Sequence, residues 1–152
     1  MRVHIATDHA GFELKQFLVE QLTAAGHEVI DHGAPTLEPE DDYPRWVIPC
    51  ALACVAAGER GIVLGDSGNG EQIAANKVPG CRAALAYSPE TARLAREHND
   101  AHVIGIGARM HTPEAAWEIV QEFLRADFSG AERHVRRLAQ VAAFEQKGAI
   151  VP

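Results

Sequence analysis

Hydrophobic residues occur along this chain in short runs that alternate with longer segments of amphipathic pattern. Five such runs predict strands, at residues 3–7, 28–31, 61–64, 82–87 and 102–106. The central runs lack the polar alternation of a strand with one face in water, which is typical of a parallel sheet covered on both faces. The pattern therefore favours an α/β protein.

Helices are predicted between and after these strands, at residues 12–25, 43–57, directly after residue 70, 88–97, 112–124 and 130–146. Ser88 and Thr112 each precede a proline, which is a typical helix start. Gly26 is a candidate C-cap, and Pro49 is a candidate kink in the second helix. The alternation predicts one domain over residues 1–152, a Rossmann-like doubly wound five-stranded parallel sheet with helices on both faces and a C-terminal helix.

Composition narrows the classes of function. The chain has 152 residues, 47% of them hydrophobic, and a formal net charge of −7. No basic tract dominates any segment, so we expect no nucleic-acid partner, although a small anionic substrate stays compatible with a few local arginines. No apolar run is long enough to span a bilayer and no signal peptide is visible. The odd number of cysteines, without metal-type spacing, favours reduced thiols, so we expect a cytoplasmic protein and no metal bound by cysteines.

The richest candidate for chemistry is the loop after the third predicted strand. It carries glycines at positions 65, 68 and 70, together with Ser67 and the carboxylates Asp66 and Glu71. The glycine order is neither that of a dinucleotide fingerprint nor that of a P-loop. Backbone N–H groups of such a loop can stabilise an oxyanion while a carboxylate takes a proton, which is the need of proton abstraction beside a carbonyl. A plain strand–helix turn is the alternative interpretation.

Further polar residues follow other predicted strands. Asp8 and His9 come after the first strand, and Arg109 comes after the fifth. In a doubly wound sheet the carboxyl ends of the strands form the ligand crevice, so these side chains are expected there with the glycine loop. Asp8 could equally serve only as a helix N-cap, with an incidental histidine beside it.

A second set of candidates lies on the predicted helices. His98 and Asn99 end one helix, where a histidine can move protons near neutral pH or simply favour the helix dipole. Arg133 and Arg137 are four residues apart, hence on one helix face. Two guanidinium groups so placed suit a phosphate, although a solvated basic face is the commoner explanation.

With these residues in view, the chain resembles the ribose-5-phosphate isomerase type B family, which also includes galactose-6-phosphate isomerase subunits. The resemblance covers nearly the whole chain. It rests on Thr-Asp-His-Ala-Gly (7–11), Asp-Tyr-Pro (42–44), Ser-Gly-Asn-Gly-Glu-Gln-Ile-Ala-Ala-Asn-Lys (67–77), Arg-Glu-His-Asn (96–99), Gly-Ala-Arg-Met (107–110) and Arg-His-x-x-Arg (133–137). It implies a metal-free aldose–ketose isomerisation through a cis-enediol. It also implies homodimers whose sites combine residues of both subunits, and it leaves open whether dimers pair into tetramers.

The resemblance also implies roles for individual residues. Glu71 would shuttle the proton between C2 and C1, Ser67 would steady the enediolate, and His98 would assist ring opening. Residues implied to hold the sugar phosphate are Asp8, His9, Tyr43, Gly68, Asn69, Gly70, Asn99, Arg109, Arg133 and Arg137. One branch of the family uses a cysteine base at the position of Gly65, so this chain resembles the actinobacterial-type branch with a glutamate base.

Asp66 is a departure from the family pattern, which usually has glycine there. The Asp66 carboxylate could face away from the site, lower activity, or change substrate specificity through a hydrogen bond to a sugar hydroxyl. The first two outcomes together are favoured over the third. The leading expectation is interconversion of ribose 5-phosphate and ribulose 5-phosphate. The alternatives are an isomerase of a tetrose, a hexose or another sugar, and a non-catalytic sugar-phosphate-binding protein; a flavodoxin-like or nucleotide-binding module is more remote.

Overall fold

A computed structural model describes residues 1–149 and contains a five-stranded parallel sheet in the order β2-β1-β3-β5-β4. The strands are β1 (Arg2–Thr7), β2 (Glu28–Asp31), β3 (Arg60–Gly65), β4 (Ala83–Leu85) and β5 (Val103–Gly107). The central strands β1, β3 and β5 are almost fully buried, which explains their continuous apolar runs. The predicted doubly wound α/β fold is confirmed.

Helices cover both faces of this sheet. A 3₁₀ turn (His9–Gly11) precedes α1 (Phe12–Ala24), and the other helices are α2 (Pro44–Ala57), α3 (Asn69–Ala75), α4 (Pro89–Asn99), α5 (Pro113–Arg125) and α6 (Glu132–Lys147). Apolar side chains of α1, α4 and α5 pack on one face, and those of α2 and α3 pack on the other. Helix α6 contacts α4. None of the helices described is long and apolar enough to cross a membrane.

The predicted helix caps agree with the structure. The Ser88 side chain accepts from the backbone N–H of Thr91 in a capping box, and the Thr112 side chain accepts from that of Ala115. Gly26 follows the end of α1 with a φ of +83°, a conformation that favours glycine. Helix α2 runs through Pro49 without ending there.

One predicted element is longer than the observed one. Strand β4 covers only Ala83–Leu85, whereas the apolar pattern predicted residues 82–87. The reason is its place at the sheet edge, where it pairs with β5 alone, so few ladder bonds define its length. The N–H of Ala86 still donates to the carbonyl oxygen of Gly105 at 2.9 Å. Ala86 is therefore buried and bonded to β5 although it lies beyond the end of β4.

Candidate active site

The glycine loop lies between the carboxyl end of β3 and the start of α3. Gly68 has a φ of +81°, and a Cβ there would lie 2.9 Å from the backbone carbon of Ile106, so only glycine fits. The Ser67 hydroxyl accepts from the backbone N–H of Asn69 at 3.3 Å and from its amide Nδ2 at 3.0 Å. The loop is thus pressed against β5 and holds the Ser67 side chain in place.

Glu71 is the buried carboxylate of this loop. Its residue is 4% exposed, and its side chain fills the space beside Gly65: a Cβ on Gly65 would lie 2.0 Å from Oε1. Burial raises the pKa of Glu71, and the nearby charges of Asp8 and Asp66 raise it further, whereas a hydrogen bond from its own backbone N–H opposes the shift. A carboxylate with a raised pKa is a stronger base when ionised, as proton abstraction from carbon requires.

Two side chains from other elements adjoin Glu71. Asp8, at the end of β1, is buried, and its Oδ1 accepts from the backbone N–H of Ala10 at 2.9 Å, the N-cap role that was the plainer interpretation. Burial raises the pKa of Asp8. Tyr43, before α2, lies over the loop, since a Cβ on Gly70 would lie 2.8 Å from its ring Cζ and 3.0 Å from its hydroxyl. The glycine loop with Glu71 therefore lies where the carboxyl ends of β1 and β3 meet the start of α2.

His9 is held by the acidic loop before α2. Asp41 Oδ1 accepts from the backbone N–H of His9 at 2.8 Å and lies 2.9 Å from its Nδ1, while Oδ2 accepts from the Trp46 indole at 2.8 Å. The bond to Asp41 raises the pKa of His9. Burial opposes ionisation of Asp41, but the bonds from His9 and Trp46 outweigh it and lower the pKa of that carboxyl. The arrangement favours the cationic form of His9, as suits contact with an anion.

Asp41 and Trp46 were not singled out from the sequence. Asp41 lies in an acidic segment, residues 37–42, where no periodicity separates it from its neighbours. The structure places its carboxylate against His9. Atoms of Asp8, His9 and Asp41 suited to metal ligation lie within 4.8 Å of one another, but His9 and Asp41 already bond each other. Their geometry is that of an oriented histidine.

One open depression adjoins the glycine loop, and another lies over the acidic segment whose Asp41 bonds His9. One of about 330 Å³ is lined by Ser67, Asn69, Leu85, Ala86, Tyr87, Gly107, Met110 and His111. Another of about 630 Å³ lies over the acidic loop and is lined by Glu38, Pro39, Glu40, Asp41, Asp42 and Arg45. Open space therefore lies beside Ser67 and beside the segment that holds His9, near the carboxyl edge where parallel sheets offer a crevice.

Arg109 follows β5 at this same carboxyl edge, whereas His98, Asn99, Arg133 and Arg137 lie at the opposite edge of the sheet. Helix α4 returns the chain to the amino end of β5, so its last residues, His98 and Asn99, lie far from Glu71. The Arg82 side chain, directly before β4, donates from Nε to the carbonyl oxygen of Asn99 at 2.8 Å. With about 3.3 Å per strand residue, the two edges are on the order of 15 Å apart. Within one protomer the predicted site residues form two groups.

Helix α6 belongs to the second group. The His134 ring stacks on the His98 ring, with centroids 4.3 Å apart and an interplanar angle of 14°. His134 is 6% exposed, and burial together with the charges of Arg133, His98 and Arg137 lowers its pKa. Arg133 and Arg137 themselves are exposed. His134 stands in the Arg-His-x-x-Arg pattern but was assigned no role from the sequence, because only contact between α4 and α6 brings it to His98.

The comparisons with known proteins agree with this geometry. The sequence model of the family described as Ribose/Galactose Isomerase matches residues 3–141. Ribose-5-phosphate isomerase B of Mycobacterium tuberculosis is 56% identical over 147 residues, which cover 96% of this chain and 91% of that protein. The corresponding Escherichia coli protein is 40% identical over 148 residues, covering 96% and 97%.

Solved structures give the same result. Ribose-5-phosphate isomerase B of Clostridium thermocellum superposes with a TM-score of 0.92 at 41% identity, covering 98% of this chain and all of that one. The Mycoplasma genitalium enzyme, solved with bound ribulose-5-phosphate, superposes with a TM-score of 0.92 at 36% identity, covering 96% and 97%. The family match, the sequence identity and the shared fold together show that this chain belongs to the Ribose/Galactose Isomerase family.

Proposed function

We propose that this protein interconverts ribose 5-phosphate and ribulose 5-phosphate, without a metal, and that Glu71 is the base. The observation that carries the proposal is the buried Glu71 carboxylate, which occupies the space beside Gly65 at the glycine loop and has a raised pKa. Relatives with 56% and 40% identity bear the name ribose-5-phosphate isomerase B, and one similar structure holds ribulose-5-phosphate. These findings support the pentose phosphate as substrate.

In the proposed reaction, the Glu71 carboxylate removes the proton from C2 of the open-chain aldose. The electrons of that C–H bond form the C1–C2 double bond, and the carbonyl oxygen on C1 takes up the negative charge as an enediolate. Ser67 and backbone N–H groups of the loop steady the enediolate oxygens. Return of the proton to C1, with transfer of the hydroxyl proton from O2 to O1, gives the ketose.

The same proposal assigns the phosphate to cationic side chains. His9, whose cationic form is favoured by Asp41, and Arg109, two residues after β5, serve this purpose at the carboxyl edge. Arg133, Arg137 and the ring-opening His98 lie at the other edge, which one protomer cannot bring to Glu71. We therefore include in the proposal a homodimer in which the second group of one subunit completes the site of the other.

Exposed apolar side chains support such a dimer. On α6, Val141 and Phe144 are 61% and 54% exposed, and on α2 and α3, Leu52 and Ile73 are 51% and 56% exposed. A protein surface that leaves several large apolar side chains in water is suited to a partner surface. A second copy of this chain is favoured as that partner, because one protomer alone does not bring His98, Arg133 and Arg137 to Glu71.

Complementation between two inactive variants tests both parts of the proposal. Glu71→Gln and His98→Asn are each expected to abolish isomerisation of ribose 5-phosphate. After the two proteins are unfolded together and refolded, half of the dimers are mixed and each holds one intact site if sites are shared, so activity returns to about a quarter of wild type. No recovery would contradict the shared site, and turnover near wild type in Glu71→Gln would refute the base.

Substrate range is measured in the same assay. Erythrose 4-phosphate, allose 6-phosphate and galactose 6-phosphate are run beside ribose 5-phosphate at matched concentrations. We expect the highest kcat/KM for ribose 5-phosphate. A higher value for another sugar phosphate would leave the chemistry intact and assign a different substrate, whereas binding without turnover of any of them would make this a binding protein.

A further inference from the structure

Asp66 and Arg109 are neighbours because of the backbone, before any side-chain contact is considered. Strands β3 and β5 pair with Gly65 opposite Gly107. Beyond the strands, the N–H of Ala108 donates to the carbonyl oxygen of Gly65 at 2.7 Å, and the N–H of Arg109 donates to that of Asp66 at 3.2 Å. The two side chains therefore emerge side by side at the carboxyl edge of the sheet, whatever their rotamers.

Their charged groups meet in this structure. Arg109 Nη1 lies 3.4 Å from Asp66 Oδ2, with the two side chains 66% and 58% exposed. Among residues 1–149, no other carboxylate forms an ion pair with the Arg109 guanidinium within 4.0 Å. An exposed pair of this length is weak, so a better anion can displace the carboxylate.

We infer that Asp66 is a specificity-determining residue: its carboxylate is an internal anion paired with Arg109, and a substrate phosphate must displace it. The inference rests on the proposed function for the assignment of the phosphate to Arg109. It follows from charge and distance: a phosphate dianion binds a guanidinium in the same way as a carboxylate, but with more charge and more acceptor oxygens.

Displacement does not remove the Asp66 charge from the site. The backbone keeps its Cα beside that of Arg109, so the carboxylate still faces the bound phosphate at short range and repels it. Both effects weaken binding of the phosphate end, and neither acts on a sugar without phosphate. Asp66 therefore narrows the difference in affinity between phosphorylated and unphosphorylated sugars.

The test compares Asp66→Asn with wild type, because asparagine keeps the shape of the side chain and removes its charge. Inorganic phosphate is the probe, measured as a competitive inhibitor and, independently of activity, by calorimetry at constant ionic strength. We expect its dissociation constant and the KM for ribose 5-phosphate to fall about three- to ten-fold. The kcat/KM for free ribose, where measurable, is expected to change by less than about two-fold.

Two controls separate this effect from general charge. Glu28→Gln removes the same charge from an exposed pair with Arg2, 3.2 Å long and at the amino edge of the sheet, and is expected to leave phosphate affinity unchanged. Asp66→Asn is also made in an Arg109→Met background, where its gain in affinity should be smaller than in wild type, because only the direct repulsion between Asp66 and the phosphate remains to be removed. An equal gain in that background would show that Asp66 does not act through Arg109.

Unchanged phosphate affinity in Asp66→Asn, or the same gain in Glu28→Gln, would overturn the inference. Failure of the proposed function has a different outcome. If wild type binds inorganic phosphate but does not isomerise ribose 5-phosphate, the calorimetric gain in Asp66→Asn still supports the competition for Arg109. If isomerisation depends on Glu71 and Asp66→Asn changes nothing, the proposed function stands and the role of Asp66 is refuted.

Discussion

Replacement of Gly65 by alanine tests the placement of the base without touching Glu71 itself. A Cβ on residue 65 would lie 2.0 Å from Glu71 Oε1, 2.1 Å from Cδ and 2.4 Å from Oε2. Ordinary van der Waals contact begins near 3.4 Å, so the carboxylate must move by roughly 1.4 Å. Gly65 is not among the glycines with positive φ, and alanine therefore fits its backbone.

The expected loss follows from that displacement. A catalytic group misplaced by about 1 Å can cost about 100-fold in rate, so we expect kcat/KM for ribose 5-phosphate to fall by about 100-fold or more. The melting temperature should change little, because the strand keeps its backbone and gains a methyl group. The assay is steady-state isomerisation, with thermal unfolding of the same preparation to establish that the variant is folded.

The matched control shortens the base in the presence of the new methyl group. Glu71→Asp alone withdraws the carboxylate and is expected to lower activity, but in the Gly65→Ala background it relieves the clash. The double variant should therefore be more active than the product of the two single losses predicts, a positive coupling between positions 65 and 71. A folded Gly65→Ala protein with kcat/KM within about three-fold of wild type would refute the reasoning.

Three further predictions concern stability and pH. Because the pKa of Glu71 is raised in the folded state, its ionisation opposes folding, and stability falls as pH rises from the ordinary glutamate pKa through the raised one. Glu71→Gln should therefore have a higher melting temperature than wild type above this pH window and the same melting temperature below it. Equal melting temperatures at every pH would contradict burial of the charge. Asp41→Asn removes the carboxylate that raises the pKa of His9, so KM for ribose 5-phosphate should begin to rise with pH at a lower pH in the variant than in wild type. A KM raised by the same factor at every pH would indicate structural damage instead. Ser88→Ala removes the N-cap of α4 and should cost about 1 kcal/mol in denaturant unfolding, with Ser88→Gly costing less; no loss would mean that water replaces the cap.

Local patterns carried most of the element assignment. Helices were predictable because burial of one face imposes a period on nearby residues, and the central strands because burial of both faces requires a continuous apolar run. Caps such as Ser88 and Thr112 depend on only four consecutive residues. The edge strand β4 was predicted too long because its end is set by pairing with a single neighbour, which apolar character does not record. The candidate loop was predictable because its glycines and Glu71 are close in sequence.

Contacts between distant segments were not predictable in this way. Asp41 orients His9 from 32 residues away, and His134 stacks on His98 only because α6 packs on α4. The pairing of Asp66 with Arg109 depends on the adjacency of β3 and β5. A chain of residues contains the groups for these contacts but not the order of strands or the packing of helices that brings them together.

Three features of this protein are already set by its amino-acid sequence: the alternation of strands and helices, the glycine loop with its carboxylate, and the histidines and arginines suited to a sugar phosphate. Those properties follow from residue type and short-range spacing. Which of these side chains meet depends on the tertiary structure. It placed the Glu71 carboxylate against Gly65 and Asp66 beside Arg109, and it put His98 at the far edge of the sheet, because strand order and helix direction fix which chain segments can meet.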